Sequence, residues 1–427
     1  MKKTLILIIS FALGHTLFAQ PHQSPVLVNA IKAVPDRTYG NHDPYEVPLI
    51  HDTKAPKGYQ PFYISHYGRH GSRSAWGGPL YQTFPEALAK AKAAGLLTAS
   101  GDSLMNDVNT IVTLHDGMDG RLTKLGFKEH HGIANRMYHR YPRVFQKGSK
   151  RVVAMSSTVQ RCIISMTAFT NELSALDPSL DIFCDTGETI LAYISNGAPD
   201  TVSRAARKLL KQLNDRVVTD TLYTAEMVFN DVDAARKVTG LSMAAIQGIV
   251  YSFASIAGSF EIGHDMFHYL PFDFLYKACE HTNMDIYLRQ ANSLELGDER
   301  MVTTVPLIKD ILVRADSALE KGDVAADLRF GHDFPFVAMC SFLGIEGIGD
   351  RMSLEEARYK WFAYENTPFA ANLQMIFYKN KAGDVLVKFL HNEKETHIIG
   401  LQAVTGPYYR WSDVRAQIEH NIHKYER

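Results

Sequence analysis

The sequence has no excess of either charge and no repetitive or low-complexity tract. Its 427 residues contain 45 Lys and Arg against 46 Asp and Glu, a formal net charge of −1. Proteins that grip nucleic acid by neutralising its phosphates usually carry a clear basic excess, so this class is excluded. Apolar residues make up 46% of the chain, which excludes a disordered or collagen-like protein. The length predicts two or three structural units.

Cysteine is also scarce. The four cysteines are far apart and none forms a C-x-x-C pair, so neither a zinc knuckle nor a catalytic thiol is indicated. An exported protein of this size can carry up to two disulfides, in three possible connectivities. Each cysteine nevertheless stands among apolar neighbours, as buried free thiols do. The sequence leaves the pairing open for Cys162, Cys184, Cys279 and Cys340.

The apolar run at the N-terminus is shorter than the roughly 20 residues that span a membrane as a helix. It covers residues 5–13, follows Lys2 and Lys3, and precedes Ala19, a small residue at a cleavage point. This pattern is typical of a secretory signal peptide rather than of an anchor or a buried strand. Residues 1–19 are therefore predicted to be removed. The mature protein is expected to be periplasmic or secreted, without stable membrane association.

Three segments share one pattern, a short apolar strand followed by a loop and a helix. The predicted strands cover residues 61–66, 151–155 and 327–331. The first predicted helix covers residues 83–95, where Thr83 and Glu86 suggest a capping box. The second runs from an N-cap at 156–158 to about residue 175. The third covers 336–342, with Pro335 in its first turn. Strands that alternate with helices form a parallel sheet covered on both faces. The predicted fold is thus α/β, a three-layer, mixed and mostly parallel sheet with flanking helices.

The stretch between the second and third units is rich in helix signals, notably at 203–213 and 241–257. We expect residues 185–322 to form a smaller, mostly helical inserted domain that caps the substrate, with 20–184 and 323–427 forming the α/β core. Near the C-terminus, strands are predicted at 372–378, 385–390 and 396–401, the first two joined by a hairpin turn at 380–384. An amphipathic helix is predicted at 412–427.

The most informative segment reads Arg-His-Gly-Ser-Arg at residues 69–73, directly after the first strand. It places two guanidinium groups and an imidazole at the carboxyl end of a strand, where open α/β sheets bind their ligands. Neighbouring cations disfavour protonation of His70, which suits a neutral nucleophile. Each arginine offers a planar fork that matches phosphate oxygens. A basic surface turn that is merely solvated is the alternative for this segment taken alone.

The other two strand-to-helix transitions supply matching groups. Arg161 lies in the first turn of the second helix, where free backbone N–H groups favour an anion. His332 and Asp333 follow the third strand and precede the third helix, although each could serve only as a turn or cap residue. Together the three strand ends combine a nucleophile, several cations and a proton source, which is what phosphoryl transfer requires. No metal or other cofactor is needed, because guanidinium groups neutralise the phosphoryl charge.

This combination resembles the histidine acid phosphatases, the second branch of the histidine phosphatase superfamily. The resemblance rests on residues 69–73, on Arg161 within Ser-Ser-x-x-x-Arg, and on the His-Asp pair after Leu-Arg-Phe-Gly, with a weaker echo from 120 to 142. It implies that His70 becomes phosphorylated and that Asp333 protonates the leaving alkoxide before water hydrolyses the phosphohistidine. The phosphoryl group would be held by Arg69, Arg73, Arg161 and His332.

Residues 366–373 and 390–394 further resemble the multiple inositol polyphosphate phosphatases within that branch. Those enzymes usually place His-Ala-Glu where this chain has His332-Asp333, so the acid here is of the ordinary acid-phosphatase or phytase type. The expected partner is a small-molecule phosphomonoester, with inositol polyphosphates such as phytate among the candidates. A broad-specificity sugar-phosphate or bisphosphoglycerate phosphatase stays open.

Three other functions compete with a histidine-type phosphomonoesterase. A metal-dependent hydrolase is suggested by His264 and His268, whose i, i+4 spacing can place two imidazoles on one helix face, but no third ligand accompanies them. A noncatalytic anion-binding module would have no use for a proton donor at Asp333. A phosphotransferase or mutase would keep the phosphoryl group, and the export signal argues against it.

Overall fold

The computed structural model describes residues 23–214, 219–262 and 265–426. The predicted signal peptide lies outside them. The strands of this part of the chain form one eight-stranded sheet. They are β1 Gln60–Arg69, β2 Arg151–Ser156, β3 Asp181–Thr186, β4 Ala326–Gly331, β5 Asn372–Lys379, β6 Val385–His391, β7 Lys394–Thr396 and β8 Tyr408–Arg410.

The α-helices surround this sheet. They are α1 Pro25–Ala33, α2 Leu80–Ala93, α3 Ala99–His115, α4 Lys124–Arg140, α5 Pro142–Gln146, α6 Gln160–Leu176, α7 Glu188–Ile194, α8 Asp200–Asn214, α9 Tyr223–Val228, α10 Val232–Thr239, α11 Met243–Ala257, α12 Phe272–Gln290, α13 Gly297–Val302, α14 Val305–Lys321, α15 Asp333–Leu343, α16 Leu354–Lys360, α17 Ala363–Asn366 and α18 Trp411–Tyr425. Short 3₁₀ helices cover Pro35–His42, Gly258–Phe260 and Phe267–Tyr269.

The sheet order is β3-β2-β4-β1-β5-β6-β7, with β8 also paired to β6. The first four strands of this order, β3, β2, β4 and β1, are parallel to one another. The pairs formed by β5, β6, β7 and β8 are antiparallel. The predicted mixed, mostly parallel α/β sheet is confirmed. Because β2, β4 and β1 are adjacent and parallel, their carboxyl ends meet at one edge.

Alternate residues along each strand face opposite layers of helices. On β5, Met375 and Phe377 enter one hydrophobic cluster with α7, α8, α14, α15 and α18, whereas Ile376 and Tyr378 enter another with α4, α5 and α6. This period of two is the sheet geometry expected when both faces are covered. The three-layer prediction is therefore confirmed.

A third hydrophobic cluster contains no strand residue. It joins α2 and α3 to α9, α10 and α11, and so combines residues 81–111 with residues 225–275. The stretch Met243–Phe260 is long and apolar enough to cross a membrane, but half of it is buried in the molecule, and burial accounts for its composition. The domain boundaries at 185 and 322 stay a prediction. The third cluster crosses these boundaries, since α2 and α3 belong to the predicted core and α9, α10 and α11 to the predicted insertion. Helical periodicity in a sequence does not reveal which neighbour a helix packs against.

Two predicted helix starts are wrong. Helix α2 begins at Leu80 after Pro79, with no side-chain cap, so Thr83 and Pro85 lie inside it. Helix α6 begins at Gln160 without a side-chain cap, because Ser156 still belongs to β2 and Ser157 contacts a histidine of the next strand end. Pro335 does lie in the first turn of α15.

The predicted strand at 396–401 is also wrong. Asn392 and Glu393 both have positive φ (48° and 64°), so the chain reverses at once and β7 is already paired with β6 at residues 394–396. Two consecutive residues of this kind form the tight hairpin turn that matches strand twist. Beyond Thr396 the chain leaves the sheet and returns as β8, which sequence reasoning did not predict. The hairpin at 380–384 is confirmed.

His66 on β1 is a buried titratable group in the core. Its ring lies 5.2 Å from that of Phe169 and 5.4 Å from that of Phe330, and 1% of the residue is exposed. Burial, reinforced by the nearby His130 and Arg329, lowers the pKa of His66 to about 3. Between about pH 6.5 and pH 3 the unfolded chain therefore binds a proton here that the folded chain does not. The free energy of unfolding consequently decreases as the pH is lowered through this range.

We expect His66→Phe to make stability less sensitive to acid. The slope of the free energy of unfolding between pH 4 and 6 should fall by roughly 1.4 kcal/mol per pH unit, because one proton-linked group is removed. Urea unfolding at several pH values measures this slope. Phe169→Leu disturbs the same packing without removing a titratable group, so it should lower stability and leave the slope unchanged. An unaltered slope in His66→Phe would contradict the assignment.

Candidate active site

The structure brings together all six residues predicted for the site. Arg69 ends β1, His70 and Arg73 follow it, and the pair at 332–333 joins β4 to α15. The rings of His70 and His332 have centroids 5.6 Å apart. Arg161 reaches the same edge from the first turn of α6, with its Nη2 3.5 Å from His332 Nδ1.

His70 is oriented as a nucleophile. Its Nδ1 lies 3.0 Å from the carbonyl oxygen of Gly71, which can only accept, so Nδ1 carries the proton and Nε2 presents a lone pair. Burial, followed by the charges of Arg69 and Arg161, lowers the pKa of His70 well below 6.5. The imidazole is therefore neutral through the mildly acidic range.

The three arginines are almost fully enclosed, with exposures of 1% for Arg69, 9% for Arg73 and 7% for Arg161. Arg69 Nη1 donates to the carbonyls of Asn41 and Thr367, at 2.5 and 2.6 Å. Yet the Nε of each arginine is buried and has no hydrogen-bond partner within the described residues. Buried donors without partners are rare in proteins and mark a place for a ligand. The charges of all three arginines act on His70, and guanidinium groups gathered beside one imidazole suit an anion.

Trp76 covers the arginines from the solvent side. Its ring lies 4.7 Å from the guanidinium carbon of Arg161 and 5.5 Å from that of Arg73, and the residue is 60% exposed. A cation over an aromatic face is held electrostatically without using its N–H donors. Trp76 thus orients two guanidinium groups and leaves their hydrogens available. Sequence reasoning missed it, since a single exposed tryptophan carries no pattern.

His332 and Asp333 are adjacent in the chain but differ in their exposure to solvent. His332 is buried with its Nε2 3.2 Å from Ser157 Oγ, and burial together with Arg161 lowers its pKa to about 4. Asp333 is partly exposed and is the first residue of α15, so it does not act as the cap. Burial alone would raise the pKa of Asp333, but Arg69, His332 and His42 together hold it below 3.8.

The loop at 69–73 is supported by tight backbone packing. A Cβ on Gly71 would lie 2.5 Å from the carbonyl oxygen of Gly126, so only glycine fits there. Glu129 accepts hydrogen bonds from the backbone N–H and the hydroxyl of Ser72, each at 2.7 Å. Thr123 donates its hydroxyl to the Ser72 carbonyl at 3.1 Å. The segment beginning at residue 120, a weak echo in the sequence, therefore holds the loop in place.

Comparison with known proteins identifies the fold. No family model and no curated protein sequence matches the chain. Solved structures do match. The multiple inositol polyphosphate phosphatase of Bifidobacterium longum in complex with phosphate superposes with a TM-score of 0.71 and 18% identity over 90% of this chain and 97% of that chain. The same enzyme with inositol hexasulfate gives 0.68 at 17% identity and equal coverage. The phytase from D. castellii gives 0.64 at 12% identity, covering 91% of this chain and 85% of that chain.

The chain has the histidine acid phosphatase fold. The resemblance first seen in the sequence is confirmed for the fold. Within that fold, the segment at 366–373 reaches the site through Phe369, whose ring lies 4.7 Å from the Arg69 guanidinium carbon and 5.9 Å from the His70 ring centroid. The C-terminal motif thus contributes packing under the catalytic loop.

Two further residues of the site come from the N-terminal 3₁₀ helix. His42 stacks on Phe369 with ring centroids 5.5 Å apart, and its Nε2 lies 3.3 Å from Arg73 Nη2. Burial, and then Arg73 and Arg69, lower the pKa of His42 to about 3. Asn41 contacts both Arg69 and Asp333. Neither residue stands in a recognisable motif, so sequence reasoning missed both.

Two other site types have candidate residues in the sequence, a metal site and a catalytic thiol. His264 lies outside the described residues, so the predicted His264–His268 pair cannot be placed. The described residues contain no group of three or more His, Cys, Asp or Glu arranged to hold a metal ion. All four cysteines are free; three are buried and Cys184 is exposed. Cys162 lies beside His332, and burial raises the pKa of its thiol to about 12, so it is not a nucleophile.

Proposed function

We propose that the protein is an exported, metal-independent phosphomonoesterase that works through a phosphohistidine. The observation that carries this proposal is the gathering of three buried arginines beside His70, whose Nε2 lone pair is available. The fold shared with phosphatases and phytases supports the same reaction class. Export rests on the N-terminal sequence pattern alone.

In the first half-reaction, the phosphoryl group binds with its oxygens toward Arg69, Arg73 and Arg161. His70 Nε2 attacks phosphorus, and the bond from phosphorus to the ester oxygen breaks. Asp333 transfers its proton to that oxygen, so the alcohol leaves neutral. The guanidinium groups offset the negative charge on the transferred oxygens throughout.

In the second half-reaction, the Asp333 carboxylate accepts a proton from water as the water oxygen attacks phosphorus. The bond between phosphorus and Nε2 breaks, His70 is again neutral, and inorganic phosphate leaves. The sum is one phosphomonoester plus water giving one alcohol plus phosphate. One carboxyl group serves as acid and then as base.

This mechanism favours an acidic optimum. The low pKa of His70 keeps the nucleophile neutral well below pH 6.5. Asp333 must enter the reaction protonated, and because its pKa in the free protein is below 3.8, the bound phosphate must raise it or bring the proton as the monoanion. The second requirement is met less often as the pH rises above the second pKa of a phosphate ester, about 6, because the bound substrate then no longer brings a proton.

Among phosphomonoesters we propose inositol polyphosphates as substrates. The fold shared with a multiple inositol polyphosphate phosphatase and a phytase supports this choice. A cavity of about 310 Å³ adjoins Asp333, and its Arg289 is paired with Asp285 in the same wall. Initial rates of phosphate release from phytate, sugar phosphates, bisphosphoglycerate and an aryl phosphate measure the preference. Faster release from sugar phosphates or bisphosphoglycerate would identify the broad-specificity alternative.

The reaction class is tested by trapping the intermediate. Wild-type protein mixed rapidly with ³²P-labelled aryl phosphate and quenched in alkali should carry label that is stable in alkali, lost in acid, and located at His70 by peptide mapping. His139→Ala removes an exposed histidine of α4 and should be labelled normally. Prior dialysis against a chelator should leave the labelling unchanged. Label on a carboxylate or a hydroxyl, or labelling that requires added metal, would overturn the proposal.

A further inference from the structure

Asn41 touches two groups of the active site at once. Its side-chain Nδ2 donates to Asp333 Oδ2 at 2.6 Å, across 292 residues of sequence. Its backbone carbonyl accepts from Arg69 Nη1. The proton donor and a phosphate-binding arginine are therefore tied to one residue, the first through the side chain and the second through the main chain.

The segment that carries Asn41 is held on both sides. The preceding Gly40 has φ 58°, and a Cβ there would lie 2.8 Å from Thr282 Cγ2 on α12, so the 3₁₀ helix packs directly against that helix. Tyr251 donates its hydroxyl to the Thr38 carbonyl at 2.8 Å. On the other side, the Phe369 N–H donates to the Asp43 carbonyl at 2.9 Å. Asn41 is thus presented to Asp333 by a fixed backbone.

The contact decides which oxygen of Asp333 is free for chemistry. A side-chain amide nitrogen only donates, so Oδ2 must accept from Asn41 and cannot carry the transferred proton in that geometry. No hydrogen bond to Oδ1 from the described residues competes for that oxygen. The charged and titratable groups that act on this carboxyl include Arg69, His332, His42, Arg73 and Arg161. Asn41 and Asp333 both line the cavity of about 310 Å³ in which a leaving group has room.

We propose that Asn41 is a positioning residue: its amide holds Oδ2 of Asp333 so that Oδ1 delivers the proton to the leaving oxygen. The inference rests on the proposed phosphatase reaction and adds to it a residue that acts through the acid. It is tested at the step in which the ester oxygen is protonated, which precedes the step in which Asp333 acts as a base. Substrates with poor leaving groups depend on that step, whereas aryl phosphates with good leaving groups scarcely do.

The test compares Asn41→Leu with the wild type on two substrates, glycerol phosphate and p-nitrophenyl phosphate. We expect the rate of alcohol release in the first turnover, which precedes hydrolysis of the phosphohistidine, to fall by about 10- to 100-fold on the alkyl ester, because a misplaced proton donor costs on this scale. On the aryl ester the same rate should fall by less than about threefold. Inhibition by inorganic phosphate should be unchanged, because Arg69 is held through the Asn41 carbonyl, which every variant keeps. In the double variant Asn41→Leu/Asp333→Asn, the rate on the alkyl ester should be no lower than in Asp333→Asn alone, because Asn41 acts through Asp333.

Thr38→Val is the matched control. It removes the hydroxyl that donates to the Pro35 carbonyl in the same 3₁₀ helix and leaves Asp333 untouched. A purely structural disturbance of this helix should affect both substrates equally. Should Asn41→Leu fold poorly, as judged by a thermal shift with phosphate, Asn41→Ala replaces it.

Equal losses on both substrates, weakened phosphate inhibition, no loss on either substrate, or additive effects in the double variant would each overturn the role of Asn41. Failure of the phosphatase proposal gives a different result. In that case the wild type does not hydrolyse either ester, or hydrolysis persists when His70 is replaced. The two failures are therefore distinguishable in one set of measurements.

Discussion

Replacing His70 with alanine is expected to lower kcat for p-nitrophenyl phosphate by at least about 10⁴-fold. The variant lacks the proposed nucleophile, the Nε2 lone pair left by the Nδ1 contact to Gly71. Knocking out a nucleophile typically costs this much or more, because the remaining groups stabilise a transition state that can no longer form in the same way. Steady-state assays at pH 5 measure the loss.

The same variant should still bind phosphate. Arg69, Arg73 and Arg161 keep their unpartnered Nε donors, so inorganic phosphate should raise the melting temperature of His70→Ala much as it does for the wild type. Undiminished hydrolysis would sink the proposed mechanism. Loss of both activity and phosphate binding would instead point to a misfolded loop, and His70→Asn then provides a smaller change at the same position.

Asp333→Asn should lower activity most on substrates whose leaving oxygen must be protonated. On an alkyl phosphate we expect a loss of about 10²- to 10⁴-fold in kcat, the usual contribution of a general acid. On p-nitrophenyl phosphate the loss in the phosphorylation step should be only a few-fold, because that leaving group departs as an anion. The amide matches the carboxyl in shape and can turn its oxygen toward Asn41, which preserves the local contact.

Pre-steady-state measurement of alcohol release separates this step from hydrolysis of the phosphohistidine, in which Asp333 acts as a base. A similar loss of alcohol release with both leaving groups would show that Asp333 positions substrate and does not supply a proton. The fall of wild-type activity above about pH 6 should also flatten in Asp333→Asn, because the variant has no carboxylate to accept the proton that a monoanionic substrate brings.

Much of the fold could be predicted from short segments of sequence. The strands at β1, β2 and β4 are apolar runs followed by turn residues and helix signals, and such patterns need no knowledge of distant residues. The errors arose where a residue type suits more than one structural role. Ser157 matches a helix cap, yet its hydroxyl lies against His332, and the helix begins three residues later. The turn at Asn392 and Glu393 was missed because glutamate is an unusual residue at positive φ.

The sequence by itself determined which residues could perform the chemistry. Arg69, His70 and Arg73 are fixed next to one another by the chain, and the two other strand ends are brought to them by the parallel order β2-β4-β1, which strand-helix alternation implies. Only the tertiary structure decided what surrounds them. Asn41 and Trp76 come from segments with no periodic or motif signal, and the motif that contains Phe369 does not reveal that its ring packs against Arg69 and His70. All three meet the site through packing between elements that are as much as 292 residues apart. Local patterns specify secondary structure and catalytic groups, whereas the orientation of those groups depends on contacts that exist only after the chain has folded.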